Sequence, residues 1–207
     1  MGKAVGVLPR RPGGRWGRQD GAMALLDRDD SVLAVVDAQP GFLHPEAEQA
    51  VERMAWLVAL AARLGVPVVV TEEEPERQGA TDVRVAAELP AGTPVLRKPT
   101  FGLVGTPEIL AAVRATGRGT VVVVGCETDV CVAQSAIGLH EQGFGCVVVE
   151  DATFSPGEMH ERGLARITAE GVARNHAKGV TYEWLRMVAE AHAVLGDPTL
   201  PSPPFRR

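Results

Sequence analysis

Three side chains that could together perform acid–base and nucleophilic chemistry each follow a short apolar segment. Asp37 comes after VLAVV, Lys98 after PVLR, and Cys131 lies in GCETDVC, just past the run VVVV. If the apolar segments are parallel strands, an acid, a base and a thiol meet at the carboxyl edge of one sheet, where such folds bind ligands. The thiolate is the reactive form of cysteine, a nearby lysine would lower the pKa of the thiol, and a carboxylate could carry the proton.

Two cysteines lie in that stretch, and their positions differ. Cys126 directly follows Gly125 at the end of the apolar run, whereas Thr128 and Asp129 are good helix N-caps and would put Cys131 in the first turn of a helix. There, unpaired backbone N–H groups and the positive end of the helix dipole stabilise a thiolate. The N–H of Cys131 and that of a residue in the preceding turn would also face the same space, as in an oxyanion hole.

A purely structural interpretation of these residues stays open at this point. Asp37 could cap a turn, Lys98 could be a solvated strand end, and Cys131 could be a small core residue, as most free cysteines are. Whether the three residues are catalytic or structural depends on the secondary-structure elements that position them.

Those elements alternate along the chain. Six short runs rich in Val, Leu and Ile are predicted strands, at 31–37, 66–71, 93–98, 119–125, 145–151 and 171–175. Most are continuously apolar, which is typical of strands covered on both faces of a parallel sheet. Amphipathic segments predict helices at 46–65, 106–117, 132–143, 157–171 and 182–196. The order predicts a doubly wound α/β domain, with a mostly parallel six-stranded sheet flanked by helices.

Length and composition indicate one globular domain. The chain has 207 residues, of which 45% are hydrophobic and 23% charged, and its formal net charge is −5. We expect a disordered basic tail at 1–22, the domain at 23–195 and a Pro-rich tail at 196–207. Mild acidity disfavours nucleic-acid binding, and no apolar run reaches the roughly 18 residues of a membrane span. Three cysteines without a secretory signal favour a reduced, cytoplasmic protein.

Three motifs, in this order, resemble those of the isochorismatase-like cysteine hydrolases: VVDAQPGFL (35–43), LRKPTFG (96–102) and GCETDVCVAQSA (125–136). This superfamily includes nicotinamidases, ureido-compound amidohydrolases and isochorismatase itself. The likeness runs from about residue 31 to YEWLR at 182–186, so it covers the predicted domain and favours the catalytic interpretation.

The resemblance implies a role for each strand-end residue. Cys131 would be the nucleophile, Asp37 the general base and acid, and Lys98 the cation that stabilises the thiolate and positions Asp37. It also implies a non-proline cis peptide between Cys126 and Glu127, which would turn the Glu127 N–H into the oxyanion hole beside that of Cys131.

The chain departs from the nicotinamidase pattern between the first two motifs. Nicotinamidases of the superfamily hold a divalent metal there through an Asp and several His, whereas residues 37–98 of this chain contain one histidine, His44. We therefore expect no catalytic metal and no other cofactor, and nicotinamide becomes a poor candidate substrate.

Other residues near the predicted site could contact a substrate. Phe42 and Phe101 closely follow two of the strand-end residues and could line the pocket or pack in the core. In TEEEPERQGATD (71–82), three consecutive glutamates could face a cationic or hydrogen-bonding group, although a run of acids is more often a solvated loop. We assign Glu74 to the pocket together with the two phenylalanines.

These expectations describe a metal-independent cysteine hydrolase that cleaves a C–N bond of a small carboxamide, ureido compound or lactam through a thioester. An isochorismatase-type vinyl ether hydrolysis, which releases pyruvate and needs no thiol nucleophile, is an alternative, but the acidic segment fits its dianionic substrate poorly. A non-catalytic scaffold of the same fold is a third possibility. Because relatives form dimers or tetramers, we expect a homo-oligomer that acts on a small molecule and binds neither nucleic acid nor membrane.

Overall fold

Six strands form the centre of the structure, a computed structural model that describes residues 24–205. The strands are β1 (Ser31–Val36), β2 (Val68–Glu72), β3 (Val95–Arg97), β4 (Thr120–Cys126), β5 (Gly145–Phe154) and β6 (Ala173–Asn175). Their order is β3-β2-β1-β4-β5-β6, and every pairing is parallel. The predicted doubly wound sheet is confirmed, while the basic tail predicted at 1–22 lies outside the described residues.

The chain reverses its direction of winding between β1 and β4. From β1 the chain adds β2 and β3 on one side, and from β4 it adds β5 and β6 on the other. In open α/β sheets, the carboxyl ends of the two strands at such a switch point border a crevice. Asp37 follows β1 and Cys131 follows β4, so both lie beside this crevice.

Helices cover both faces of the sheet. In the described part of the chain there are eight α-helices: α1 (Glu48–Leu64), α2 (Pro75–Gln78), α3 (Val83–Ala87), α4 (Pro107–Ala115), α5 (Ala133–Glu141), α6 (Met159–Ala169), α7 (Ala177–Leu185) and α8 (Val188–Leu195). The helices predicted around α1, α4, α5 and α6 are confirmed to within a few residues. None of the described helices is long and apolar enough to cross a membrane.

The central strands are apolar throughout because both faces of the sheet are covered. Along β1, Leu33 and Val35 belong to a core formed with α1, α7 and α8. Val32, Ala34 and Val36 belong to a second core on the opposite face, formed with α4, α5 and α6. Burial of apolar surface stabilises a fold by roughly 25 cal/mol per Å², so these two cores supply the main driving force for folding.

The prediction of a single closing helix at 182–196 is wrong. The segment forms two helices, α7 and α8, with Arg186 between them at a φ of 53°. The Arg186 guanidinium donates to the carbonyls of Leu25 and Leu26, at 3.1 and 2.8 Å. The break therefore ties the end of α7 to the start of the described domain, a long-range contact that helical periodicity does not encode.

The Pro-rich segment after α8 contains neither helix nor strand as far as residue 205. Leu200 and Phe205 nevertheless pack against the core beneath α1. The ring of Phe205 meets that of Trp56 edge-on, with 6.0 Å between the ring centroids. The described part of this tail therefore covers the domain rather than extending from it.

Gly125 allows β4 to lie close to β1 at the switch point. Its φ is 122°, and it pairs with Val36 across the two strands. A Cβ atom at this position would lie 2.7 Å from the Val36 carbonyl carbon, which is too close for any side chain. The segment after β4 is thereby brought next to Asp37.

We expect Gly125→Ala to lower the free energy of unfolding by about 3 kcal/mol or more, or to prevent folding, because the methyl group would overlap the Val36 carbonyl. Urea unfolding followed by circular dichroism measures the loss. Gly143→Ala is the matched control, since Gly143 has a φ of 85° but nothing within 4 Å of its Cβ position. The control should cost only about 1 kcal/mol, and equal losses in the two variants would contradict the steric explanation.

Candidate active site

Asp37 lies at the switch point with its side chain fully buried. Its backbone is in the left-handed region, with a φ of 46°, a conformation that costs a non-glycine residue about 1–3 kcal/mol and is retained mostly at functional sites. Thr71 holds the residue twice: its carbonyl accepts from the Asp37 N–H at 3.2 Å, and its Oγ1 donates to Oδ1 at 2.8 Å. The other carboxylate oxygen, Oδ2, has Lys98 as its counter-charge.

Lys98 reaches the same point from the edge of the sheet. Its backbone N–H donates to the Glu72 carbonyl at 2.8 Å, just past β3, and its side chain is fully buried. Nζ lies 2.9 Å from Asp37 Oδ2 and donates to the carbonyls of Thr100 and Phe101, at 2.7 and 3.0 Å. A buried ammonium needs a counter-charge and hydrogen-bond acceptors, and this one has both.

Cys131 lies in a wide π-helical turn, Thr128–Val132, that leads into α5. The Val132 N–H donates to the Glu127 carbonyl at 3.0 Å, which sets the width of this turn. Sγ of Cys131 is 3.6 Å from Lys98 Nζ, and the residue is 3% exposed. The predicted helix start is thus found at the expected place, but as a π turn, a local form that is frequent at functional sites.

The side chains of Thr128 and Asp129 do not cap this helix start, so that expectation is wrong. Thr128 Oγ1 instead pairs with His160 Nδ1 at 2.9 Å. Asp129 Oδ1 accepts from Ser155 Oγ at 2.6 Å. The two residues tie the cysteine-bearing turn to the start of α6 and the segment before it, which fixes where Cys131 lies relative to the sheet.

The peptide bond between Cys126 and Glu127, at the end of β4, is cis. Within residues 24–205, the Glu127 N–H has no hydrogen-bond acceptor. Cys126 is fully buried in the core, and burial raises the pKa of its thiol. The two cysteines of the stretch therefore have different surroundings: Cys126 packs in the core, whereas Cys131 contacts charged groups.

Glu73, which the sequence presents only as part of an acidic run, also reaches the site. Its Oε2 accepts from the Cys131 thiol at 3.3 Å and from the Lys98 ammonium at 3.4 Å. Glu73 is the first residue after β2, so it lies at the same carboxyl edge as the other strand-end residues. The rule that selected those residues would also have selected Glu73 if the run had not been treated as one loop.

The neighbouring glutamates of the run have other roles. Glu72 ends β2, and its Oε1 accepts from the Thr81 N–H and Oγ1 at 2.6 and 2.7 Å. Glu74, assigned to the pocket from sequence, has a side chain that is 53% exposed and pairs with Arg77 at 3.0 Å. The glutamate that contacts the thiol is therefore Glu73 rather than Glu74.

The two phenylalanines assigned to the pocket lie in different surroundings. Phe42 is half-buried and packs against the core beneath α1. Phe101 is 54% exposed and meets the site through its carbonyl, which accepts from Lys98. A substrate-lining role for either side chain stays a prediction.

Burial dominates the electrostatics of the site. It raises the pKa of Asp37 even though the Lys98 charge opposes the shift. Burial is the largest single effect on Lys98 and lowers its pKa, but the charge and hydrogen bond of Asp37, together with the charges of Cys131 and Glu73, outweigh burial, so the pKa is raised. Burial, together with the charges of Asp37 and Glu73, raises the pKa of the Cys131 thiol against the opposing effect of Lys98. The expected lowering of the thiol pKa is therefore not found, because burial and the two neighbouring carboxylates raise the pKa of Cys131 more than Lys98 lowers it.

One group of ligand-type atoms lies at the site among the described residues. A carboxylate oxygen of Asp37, one of Glu73 and Sγ of Cys131 lie within 4.8 Å of one another, and the group includes no histidine. Lys98 Nζ approaches these atoms at 2.9, 3.4 and 3.6 Å respectively. The ammonium thus supplies the positive charge that these donor atoms would otherwise take from a metal ion.

The fold and the site together define an α/β protein that gathers an acid, an ammonium and a thiol at the switch point of a parallel sheet. Comparison with protein families gives the particular group. Residues 31–176 match the family model described as the isochorismatase domain, and the chain belongs to this family. The resemblance inferred from the three motifs is confirmed.

Curated relatives agree with the assignment. Isochorismatase domain-containing protein 1 of Danio rerio is 35% identical over 129 residues, which are 61% of this chain and 44% of that protein. The probable hydrolase YcaC of Escherichia coli strain K12 is 30% identical over 134 residues, 62% of this chain and 64% of that protein. The chain thus spans less than two thirds of the length of either relative.

Solved structures share the fold. YcaC of Escherichia coli, described as an octameric hydrolase of unknown specificity, has a TM-score of 0.76 at 24% identity and covers 84% of this chain and 90% of its own. YcaC from Pseudomonas aeruginosa, solved with hexane-2,5-diol and covalent acrylamide, has a TM-score of 0.73 at 26% identity and covers 84% and 92%.

We expect Lys98→Met to lower the free energy of unfolding by about 3–5 kcal/mol at neutral pH, because the Asp37 carboxylate would stay buried without a counter-charge. The double variant Lys98→Met/Asp37→Asn should recover part of the loss, since it removes the buried charge as well. Urea unfolding of the wild type, both single variants and the double variant measures the coupling. A double variant as unstable as the sum of the single ones would show that the two side chains act independently.

Alkylation of Cys131 by iodoacetamide should still accelerate above pH 9, because the pKa of this thiol is raised above its ordinary value of 9.0 and only the thiolate reacts. Mass spectrometry of the Cys131 peptide across a pH series measures the rate. Cys126 and Cys146, buried in β4 and β5, serve as internal references and should react more slowly. A Cys131 rate that levels off below pH 9 would mean that the pKa is not raised.

Proposed function

We propose that this protein is a metal-independent cysteine hydrolase that cleaves a C–N bond of a small carboxamide, ureido compound or lactam through a thioester. The observation that carries the proposal is the position of the Lys98 ammonium, 2.9 Å from the Asp37 carboxylate and 3.6 Å from the Cys131 sulfur. A nucleophile, a proton carrier and a fixed cation are the parts that acyl transfer to a thiol needs.

In the acylation step, the Cys131 thiol gives its proton to Asp37 while the sulfur attacks the carbonyl carbon. The raised pKa of Asp37 makes it a stronger base than an exposed carboxylate, which suits proton transfer from a thiol. The C=O electron pair moves onto the oxygen, Asp37 passes the proton to the substrate nitrogen, and the C–N bond breaks. Ammonia or an amine leaves, and the acyl group stays on Cys131 as a thioester.

Hydrolysis of the thioester uses the same groups in reverse order. Water attacks the thioester carbon while its proton passes to Asp37. The C–S bond then breaks and the sulfur of Cys131 takes that proton, so thiol and carboxylate are both restored and the acid product leaves. Lys98 keeps its proton throughout, because its pKa is raised, and holds Asp37 in place.

The backbone N–H groups of Glu127 and Cys131 are the proposed oxyanion hole. Support comes from the Glu127 N–H, which has no acceptor within the described residues and is therefore free to donate to a developing oxyanion. Loss of one such donor costs about 2.7–4 kcal/mol of transition-state stabilisation in well-studied hydrolases.

Two relatives support parts of this proposal. The Escherichia coli relative is called a probable hydrolase. The Pseudomonas aeruginosa relative holds covalent acrylamide, a small amide that is also an electrophile.

By analogy with the octameric Escherichia coli protein, we also propose a homo-oligomer. The α7–α8 junction offers an apolar surface that such a contact could cover, formed by the exposed residues Tyr182, Met187 and Val188. The three free, buried cysteines fit the cytoplasmic location expected from sequence.

Vinyl ether hydrolysis, as performed by isochorismatase, is the alternative within the same fold. It needs proton donation by Asp37 but no thiol nucleophile, so Cys131→Ala would retain it. Two carboxylates, Asp37 and Glu73, beside the thiol fit a dianionic substrate poorly. Pyruvate release from isochorismate distinguishes this reaction from amide hydrolysis.

Cys131→Ala should lower hydrolysis by about a thousandfold or more for any amide, ureide or lactam that the wild type cleaves, because the nucleophile is removed. A screen for ammonia or amine release finds the substrate and measures the loss. Cys146→Ala, a buried cysteine in β5 outside the site, is the matched control and should retain activity. Full activity in Cys131→Ala would refute the mechanism, and no turnover of any compound would favour a non-catalytic scaffold.

A further inference from the structure

The Glu73 carboxylate is an acidic group beside the reacting sulfur that the proposed mechanism does not use. Its Oε2 lies 3.3 Å from Cys131 Sγ and 3.4 Å from Lys98 Nζ. The Glu73 side chain is 17% exposed, whereas those of Lys98 and Asp37 are fully buried. Of these three charged groups, Glu73 is therefore the one that solvent reaches.

The backbone of Glu73 is held by the buried side chain of Gln39. Gln39 Oε1 accepts from the Glu73 N–H at 2.7 Å, and Nε2 donates to the Glu73 carbonyl at 3.0 Å. Nε2 also donates to the Gly79 carbonyl at 2.5 Å, which binds the far end of the same loop. Because Gln39 itself is fully buried, Glu73 is a fixed residue rather than part of a solvated loop.

The residue after Glu73 shows that this orientation is specific. Glu74 has a left-handed backbone, with a φ of 38°, and its carboxylate pairs with Arg77 at the surface. Two consecutive carboxylates therefore point in different directions, one to the sulfur and one to solvent. Glu74 is therefore a matched control for any effect of the Glu73 charge.

Charge and hydrogen bonding at the site favour a nitrogen-bearing ligand. Asp37 and Glu73 are two carboxylates against the single ammonium of Lys98. Within residues 24–205, Glu73 Oε1 accepts no hydrogen bond, so it is free to accept one from a ligand. Hydrogen bonds to a carboxylate are roughly twice as strong as those between neutral groups, whereas a ligand anion beside it is repelled.

We propose that Glu73 determines specificity: its carboxylate accepts a hydrogen bond from an N–H group or cationic nitrogen next to the scissile carbonyl, and it disfavours substrates that carry a carboxylate there. This inference rests on the proposed function and narrows it to ureido compounds and amino-substituted amides. A second substrate N–H that displaced the thiol from Oε2 would also leave the Cys131 proton to pass to Asp37.

Other charged groups near Glu73 and Cys131 come from three further segments. They are Asp37 after β1, Lys98 after β3, and Glu127 before the π turn, with His44 close to Glu127. A neutral, isosteric substitution at Glu73 leaves all of them in place. Its effect therefore reports the Glu73 charge alone.

The test compares two alkylating probes of nearly equal size, neutral iodoacetamide and anionic iodoacetate. Both react with the same Cys131 thiolate, so the ratio of their rates does not depend on how much thiolate is present and reports the charge that the probe meets. Glu73→Gln should lower the iodoacetamide-to-iodoacetate ratio by about tenfold, the scale of one nearby unit charge in a partly buried site. Glu74→Gln should leave it within about twofold, because that carboxylate is solvated and screened. Glu73→Asp, which keeps the charge, should stay close to the wild type.

An unchanged ratio in Glu73→Gln, or the same change in Glu74→Gln, overturns the inference. So does a Cys131 that neither probe labels in the folded wild type, because a substrate would be excluded as well. Thermal melting shows whether each variant is folded, and Glu73→Asp separates loss of charge from loss of shape.

Failure of the proposed cysteine mechanism and failure of the Glu73 inference would give different experimental results. If Cys131→Ala kept hydrolytic activity, the cysteine mechanism would fail even though the probe ratio still shifted in Glu73→Gln. If hydrolysis required Cys131 but the ratio did not shift, the mechanism would stand and the role of Glu73 would fail. The two experiments therefore have separate outcomes.

Discussion

A buried ammonium with a buried carboxylate partner is the interaction on which the rest of the site depends. Lys98 Nζ and Asp37 Oδ2 are 2.9 Å apart, and neither side chain is exposed to solvent. Taking two such ions out of water costs several kcal/mol each, so the pair persists only where close geometry and further hydrogen bonds compensate. The Thr100 carbonyl and the Thr71 hydroxyl supply two of those bonds. The result is a fixed dipole against which the Cys131 sulfur lies.

The burial that strengthens this pair also opposes a free thiolate. Cys131 has two carboxylates and one ammonium within its immediate surroundings, and burial raises the pKa of its thiol. In the proposed mechanism, the proton leaves the sulfur as the new bond forms, and Asp37 accepts it. Such coupling protects a cysteine from unwanted reactions, because the nucleophile is generated only when a substrate is present. Glu73 lies at the solvent side of the same sulfur, where the proposed substrate contact would form.

The sequence predicted correctly the features that local residue patterns specify, and it missed those that depend on contacts between distant segments. Runs such as VVVV predict buried parallel strands because a strand covered on both faces must be apolar at every position. The strand-end rule identified Asp37, Lys98 and Cys131, since parallel strands bring their carboxyl ends to one edge. The same rule did not single out Glu73, because three consecutive acids resemble a solvated loop. The break at Arg186 was also missed, since it depends on a contact with the start of the domain.

The sequence by itself therefore determined the fold class, which strands are followed by polar residues, and the residue types that meet at the switch point. These follow from local hydrophobicity and from the rule that parallel strands share a direction. Only the tertiary structure decided that Glu73 faces the sulfur while Glu74 faces solvent, and that burial raises the pKa of the Cys131 thiol. Those properties depend on backbone torsions, on burial and on distances between residues far apart in the chain, none of which residue spacing contains.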